Sequence, residues 1–139
     1  MRLSGQVYKS DRFWLAEIPL LEALTQGRTR KESLEMIADW VETIVNHPGF
    51  EVDVRPGLNG HFEIIANDPR QLIALLLRRQ RERAGLTLSE AASRLGVGTT
   101  SAYARYERGA SLPSLQKLDE LLRAVAPDRD LVLTQNEAP

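Results

Sequence analysis

The sequence contains no cysteine in its 139 residues, so a secreted fold held by disulfides is not indicated. Its opening residues, Met1 to Ser10, lack the apolar run of a signal peptide. The longest apolar run, Leu72 to Leu77, is far shorter than the roughly twenty residues that a membrane-spanning helix needs. These absences predict a cytoplasmic protein that does not span or bind a membrane.

The net charge of the chain is only −1, but its acidic and basic residues are unevenly distributed along the sequence. Residues 1–66 carry ten acidic and seven basic side chains, a net charge of −3. Residues 69–108 carry eight arginines and three glutamates, a net charge of +5. The chain is long enough for one medium domain or two small ones. This charge division favours two parts with different partners.

Short runs rich in β-branched and aromatic residues open the chain. Leu3 to Lys9 and Phe13 to Ile18 are separated by three residues, which predicts a hairpin. Pro19 ends the second strand, because proline cannot donate a hydrogen bond to a neighbouring strand. Ala23 to Gln26 is at most a short third strand.

A capping box predicts a helix that begins after Thr29. The Thr29 hydroxyl can accept a hydrogen bond from the Glu32 amide while the Glu32 carboxylate reaches back, which stabilises a helix by about 1 kcal/mol. Pro48 and Gly49 end the helical pattern. The apolar residues that share one face of this helix are Leu34, Ile37, Ala38, Val41, Ile44 and Val45.

A second hairpin is predicted after this helix. Phe50 to Val54 and Phe62 to Ala66 flank a turn that contains Asn59 and Gly60, a pair that accepts the positive φ angles of tight turns. Residues 1–66 are therefore expected to form an α+β domain, with one helix packed on an antiparallel sheet.

The second half reads as an all-α domain over residues 67–127, followed by a tail over residues 128–139. Asp68 and Pro69 suit an N-cap and a first helical residue, so the domain boundary is placed there. Leu131 to Leu133 can add a strand. Four helices are predicted, over Pro69 to Ala84, Leu88 to Leu95, Thr100 to Glu107 and Ser114 to Ala124. The expected core residues are Leu95, Tyr103, Tyr106, Leu112, Leu115, Leu118 and Leu121.

The second and third of these helices have the pattern of a helix-turn-helix. Thr87 to Glu90 is another capping box, and Ala91 and Ala92 are small enough to let two helices cross closely. The order LRRQRERAGLTLSEAASRLGV, ARYERG and PSLQKLDELLRAV resembles the Cro/repressor family of DNA-binding domains. The resemblance implies that Thr87 to Leu95 braces the domain on DNA phosphates and that Thr99 to Glu107 lies in the major groove.

Base recognition by this domain is expected to be weak. The turn is one residue longer than the commonest family pattern, and Leu88 stands where the family often has a phosphate-binding glutamine. No Asn, Gln or Arg opens the second helix, so Arg105 is the main candidate for a base or phosphate contact. The arginines of the helix predicted over Pro69 to Ala84 are expected to lie on a solvated face. The residues expected to contact DNA are Ser89, Arg94, Thr99, Thr100, Ser101, Ala102, Arg105 and Tyr106.

Three stretches of the first half, Val7 to Lys9, Trp14 to Pro19 and Thr25 to Leu34, resemble the HicB antitoxin family. The stretch AYARYERG at Ala102 to Gly109 and the order of the two domains fit the same family. The resemblance implies a truncated ribonuclease H-like fold that binds a small basic toxin, HicA, which cleaves messenger RNA. It also implies that the second domain represses the shared operon, as a homodimer or a higher oligomer.

The acidic surface of the first half is the expected toxin contact, because an RNA-cleaving toxin is basic. Trp14 and Trp40 are expected in the core rather than at this contact. Each acidic residue can instead be a simple solvated residue. The candidate toxin-binding residues are Glu17, Glu22, Glu35, Asp39 and Glu42.

Two other functions stay open. A degraded nuclease would need carboxylates converging on a metal ion, and although Glu35 and Asp39 share a helix face, no strand carboxylate is evidently aimed at them. His47 and His61 are expected in loops, so neither a catalytic nor a metal site is predicted, and no cofactor and no enzyme activity are expected. The other alternative is a transcriptional regulator that senses a small molecule, which a well-formed apolar pocket would favour.

Overall fold

The computed structural model describes residues 1–96 and 100–136 of the chain. The elements in chain order are the strands β1 (Arg2–Ser10), β2 (Phe13–Ile18) and β3 (Ala23–Gly27), the helix α1 (Arg30–Val45), the strands β4 (Val52–Pro56) and β5 (His61–Ala66), and the helices α2 (Pro69–Arg83), α3 (Leu88–Arg94), α4 (Thr100–Glu107) and α5 (Leu115–Val125). A 3₁₀ turn at Pro19–Leu21 separates β2 from β3. The architecture is α+β, as predicted.

The five strands form one antiparallel sheet in the order β3-β2-β1-β5-β4. One face packs on α1, and there Ala16, Ile18, Phe62 and Ile64 are fully buried. On the other face, alternate residues of the central strand β1 are exposed, including Tyr8 at 40%. The sheet thus has one covered and one open face, which accounts for the period of two in its strands.

α2 contributes to two hydrophobic cores at once. Leu72, Leu75 and Leu76 pack in the core between the sheet and α1. Ile73 and Leu77 pack in a second core with α3, α4 and α5. The boundary expected at residue 67 stays a prediction, but the helix that follows it belongs physically to both halves.

Two strand predictions differ from the structure. β4 begins at Val52, two residues later than expected, because Phe50 is 7% exposed in the loop and serves as a core residue there. The amide of Phe50 donates to the His47 carbonyl instead of a strand partner. Leu131 to Leu133 form no strand; Leu131 packs on the second core, and Val132 and Leu133 are exposed.

The expected core of the second half is confirmed at Tyr103, Leu118 and Leu121, which are buried, and partly at Leu95 and Tyr106. The expectation is wrong at two positions. Leu112 is 53% exposed in the loop before α5, and Leu115 is 63% exposed. Leu115 is the first residue of α5 and lies one turn before Leu118, at the exposed end of the helix. Within the described residues, no helix is long and apolar enough to cross a membrane.

Gly27 permits the close contact between β3 and the first turn of α1. A Cβ atom on Gly27 would lie 2.5 Å from the backbone nitrogen of Ser33. We predict that Gly27→Ala lowers the free energy of unfolding by roughly 1–3 kcal/mol, the usual cost of overpacking. Chemical denaturation measures this loss. The control is Gly57→Ala, whose Cβ would lie 3.3 Å from its nearest neighbour. Equal losses for the two variants would contradict the steric explanation.

Candidate nucleic-acid interface

α3 is a short helix whose ends are fixed by local hydrogen bonds. The Thr87 hydroxyl accepts from the Glu90 amide at 3.1 Å, so the N-cap half of the predicted capping box is confirmed. The Glu90 carboxylate accepts from the Thr87 hydroxyl at 3.1 Å rather than from the Thr87 amide. Gly96 follows α3 with a φ of +69°, a conformation that glycine adopts without strain. The turn predicted between the helices continues over residues 97–99, which lie outside the described residues.

One side of α4 faces solvent and carries its polar residues. Thr100 and Ser101, in the first turn of α4, Arg105, near its end, and Arg108, the residue after it, are all exposed. Among the described residues, the guanidinium group of neither arginine has a hydrogen-bond or ion-pair partner. The exposed side therefore combines hydroxyl groups with two cations that are available to an anionic partner.

The opposite side of α4 is anchored to α2 by three interior polar groups. The Arg81 guanidinium holds the Glu107 carboxylate through two hydrogen bonds of 2.6 and 3.1 Å. The Tyr103 hydroxyl donates to the same carboxylate at 2.6 Å. The exposed fraction is 14% for the Arg81 side chain and 6% for Glu107. This ion pair fixes α4 against α2 and so determines where its exposed side points.

The surroundings of this network shift two pKa values. The hydrogen bond to Glu107 raises the pKa of Arg81. Burial, with the bond to Glu107, raises the pKa of Tyr103 far above its usual range. Both groups therefore hold their protons at any ordinary pH, and the Tyr103 hydroxyl remains a donor.

Most arginines of α2 form hydrogen bonds or ion pairs with other residues of the chain. Arg79 donates to the carbonyls of Leu21 and Glu22 and lies 5.4 Å from the centre of the Trp40 ring. Arg78 donates to the Ile44 carbonyl, and Arg83 pairs with Asp128. The expectation that the arginines of α2 lie on a solvated face is thus wrong for Arg81, whose side chain is 14% exposed, but it holds for Arg83, which is exposed, and Arg78 and Arg79 are partly buried. Much of the positive charge of residues 69–108 is neutralised internally.

The comparison with known families concerns this half of the chain. Residues 72–134 match the family model of a helix-turn-helix domain. We call this matched part of the chain the helix-turn-helix domain. The match includes most of α2 and all of α3, α4 and α5. No curated protein matches the chain. A helix-turn-helix domain indicates a DNA-binding regulator, and the exposed side of α4 is the candidate DNA surface.

The predicted DNA contacts occupy different environments in the helix-turn-helix domain. Ser89 is exposed on α3, and Ala102 and Tyr106 are partly buried. The Arg94 guanidinium donates to the Ala124 carbonyl at 3.3 Å, so it braces α5. Thr99 lies outside the described residues. Thr100, Ser101 and Arg105 lie on the exposed side described above.

Arg108 was missed by the sequence reasoning. It follows Arg105 by three residues, so the two lie on the same side of the helix. This spacing, just before Gly109, was the signal that could have found it. Arg108 extends the candidate DNA surface to the end of α4.

The five predicted toxin-binding acids do not form one surface. Glu17 lies on the open face of the sheet. Glu35 and Asp39 are exposed on α1, the helix that packs on the opposite face of the sheet. The Glu42 carboxylate accepts from the Val52 amide at 2.8 Å. Glu22 pairs with Arg83 and Arg129 of the second half. Only Glu35 and Asp39 are neighbours on one exposed surface.

An apolar groove of about 470 Å³ lies between α1 and the edge strand β4. It is lined by the apolar side chains of Leu34, Ala38, Val54 and Pro56, and Glu35 stands at its rim. Arg30 and Lys31 complete its lining at the start of α1. Within the described residues, no three His, Asp or Glu side chains come together as a metal site.

The interior ion pair yields a stability prediction. Glu107→Gln leaves the Arg81 guanidinium buried without a counter-charge, and we predict a loss of roughly 3–5 kcal/mol in the free energy of unfolding. In Arg81→Met/Glu107→Gln the buried charge is gone, so the loss should be smaller than the sum of the single losses. Urea denaturation measures both. Asp119→Asn, which breaks the exposed pair with Arg123, is the control and should cost far less. Additive losses would contradict the pairing.

Tyr103 yields a prediction about alkaline pH. Its folded pKa lies above its unfolded value of about 10, so its contribution to stability is complete below pH 10 and is lost as the pH rises beyond it. We predict that the wild-type free energy of unfolding falls more steeply above about pH 10 than that of Tyr103→Phe. Denaturation at a series of pH values measures this difference. Tyr8→Phe, on the open sheet face, controls for the loss of one tyrosine. Parallel curves for wild type and Tyr103→Phe would refute it.

Proposed function

We propose that this protein is an antitoxin that also represses its own operon, with the helix-turn-helix domain bound to operator DNA. The observation that carries the DNA-binding part is the exposed side of α4, where Arg105 and Arg108 have no partner among the described residues. The Arg81–Glu107 pair fixes this side in one orientation, so the surface is formed before DNA arrives. A fixed surface loses less entropy on binding than a mobile one.

Repression through this domain requires two copies on one operator. Thr100 and Ser101 are short side chains that suit phosphate and single base contacts, and neither makes the bidentate contact that distinguishes bases best. One copy therefore discriminates poorly. Two copies related by a two-fold axis read an inverted repeat whose half-sites are about 34–36 Å apart, or a multiple of that spacing.

Arg105→Ala tests the DNA surface. We predict weaker operator binding, measured by fluorescence anisotropy at several salt concentrations. If Arg105 contacts a base, specific binding falls by about 1–3 kcal/mol and binding to random DNA barely changes. If it contacts a phosphate, both fall and the slope of log affinity against log salt drops by about one. Arg55→Ala, on β4, is the control of equal charge change. Unchanged operator affinity in Arg105→Ala/Arg108→Ala would exclude this surface.

The antitoxin part of the proposal is supported by the HicB resemblance of the first half and by its α+β architecture. The toxin implied is of the HicA type, small and basic. The groove between α1 and β4 can bind apolar side chains of the toxin, and Glu35 and Asp39 supply adjacent negative charge on α1. Apolar anchors surrounded by charges of opposite sign to the partner are typical of specific protein interfaces.

The toxin contact is tested with the full chain and the small basic protein encoded beside its gene. We predict that the two co-purify and that Glu35→Lys/Asp39→Lys abolishes the complex, because it places positive charge against a basic partner. Isothermal titration calorimetry measures the affinity. Glu17→Lys, on the open face of the sheet, is the matched control and should bind as wild type. Loss of binding in Glu17→Lys alone would place the contact on the other face.

The groove also supports a second candidate function, a regulator that senses an apolar small molecule. The volume of about 470 Å³ is adequate for a drug-sized ligand. The two functions predict different effectors of operator release. Release by the basic protein at stoichiometric amounts supports the antitoxin, whereas release by an apolar metabolite in the absence of any protein supports the sensor.

A further inference from the structure

The sheet has two edge strands, and one of them, β4, is protected against the addition of a further strand. The Val52 amide donates a hydrogen bond to the Glu42 carboxylate at 2.8 Å, and Pro56 has no amide hydrogen to donate. Asp53 and Arg55 add charges to the same strand. Proline, charge and an occupied amide are devices that prevent a further strand from adding to a sheet edge.

β3, the other edge strand, has none of these devices. Its five residues, Ala23 to Gly27, include no charge and no proline. They pair with β2 on one side, and among the described residues no strand lies on the other side. An unprotected edge presents unpaired amide and carbonyl groups to any strand that fits.

Large apolar side chains are exposed on both sides of the β3 edge. Leu24 is 57% exposed on the open face of the sheet. On the covered face, Met36 of α1 is 44% exposed. It lies on the β3 side of the helix, because the Thr25 hydroxyl donates to the carbonyl of Ser33, three residues before Met36, at 3.1 Å. Ala38 faces the opposite side, towards β4. Apolar groups grouped around a free edge indicate an association surface.

We propose that β3 pairs antiparallel with the β3 strand of a second copy, so that the two sheets join into one of ten strands. With the two-fold axis at Thr25, Leu24 lies opposite Gln26 of the partner subunit. Every cross-strand pair is then neutral, so the strand pairs with its own copy without repulsion between like charges. A five-residue strand alone is too short to bury the roughly 800 Å² per partner of a stable interface, so Met36 and its side of α1 belong to the contact.

The β3 contact does not depend on the proposed function. Only its consequence, a two-fold complex on operator DNA, rests on that function. The dimer itself is measured without DNA. The two proposals therefore fail separately: a dimer that binds no DNA refutes repression, and a DNA-binding protein whose mass is independent of β3 refutes the β3 contact.

The test is the mass of the full chain, measured by size-exclusion chromatography with light scattering. Leu24→Lys/Gln26→Lys places lysine opposite lysine twice across the proposed two-fold axis, and we expect it to halve the wild-type mass. Leu24→Glu/Gln26→Glu should do the same. Both side chains are exposed, so circular dichroism should show an unchanged fold. Leu58→Lys, at an 84% exposed leucine in the β4–β5 turn, is the control and should keep the wild-type mass.

Mixing the lysine and glutamate variants distinguishes this contact from a general loss of association. In the mixture each lysine faces a glutamate, so we expect the wild-type mass to return. A monomeric wild type overturns the proposal. So does a lysine variant that keeps the wild-type mass, or a mixture that stays at half of it.

Discussion

A single helix has to bury two faces at once, and the arrangement of this protein depends on that constraint. α2 inserts Leu72, Leu75 and Leu76 between the sheet and α1, while Ile73 and Leu77 enter the core of the helix-turn-helix domain. A helix that is apolar around its circumference is stable in water only when both sides are covered. Each half of the protein thus covers a surface that the other half would otherwise leave exposed.

Polar contacts fix the angle at which the halves meet. The Gln80 side chain, 1% exposed, donates to the Leu20 carbonyl and accepts from Arg129. Arg79 donates to two carbonyls at the start of β3, and Arg81 holds α4. Apolar packing has no preferred direction, whereas these bonds do. The arginines of α2 therefore act mainly as links between elements of the fold.

The sequence predicted best those features that depend on neighbouring residues. The capping bonds predicted at Thr29, Asp68 and Thr87 form, because a cap needs only a side chain and an amide two or three residues away. The element types followed for the same reason.

The failures arise from contacts between residues far apart in the chain. Phe50 lies outside the strand because it packs in a core formed by distant elements, and Leu115 is exposed at the start of α5 although Leu118, one turn later, is buried. The Glu42 carboxylate accepts from the Val52 amide, ten residues away, a contact that the helical pattern does not reveal. Arg81 finds Glu107 across 26 residues, a pairing that no local pattern reveals. Charge totals predicted the sign of the DNA-binding half but not which cations were already paired.

The shared helix links the sheet to the DNA surface mechanically. α4 is fixed to α2 by the Arg81–Glu107 pair, and α2 is fixed to the sheet by Arg79 and Gln80. A change in the tilt of α4 relative to the sheet would break at least one of these buried contacts, and a buried polar group left without a partner costs about 1–3 kcal/mol. A displacement of the sheet therefore reaches α4 through α2, and the orientation of α4 is coupled to the first half of the chain.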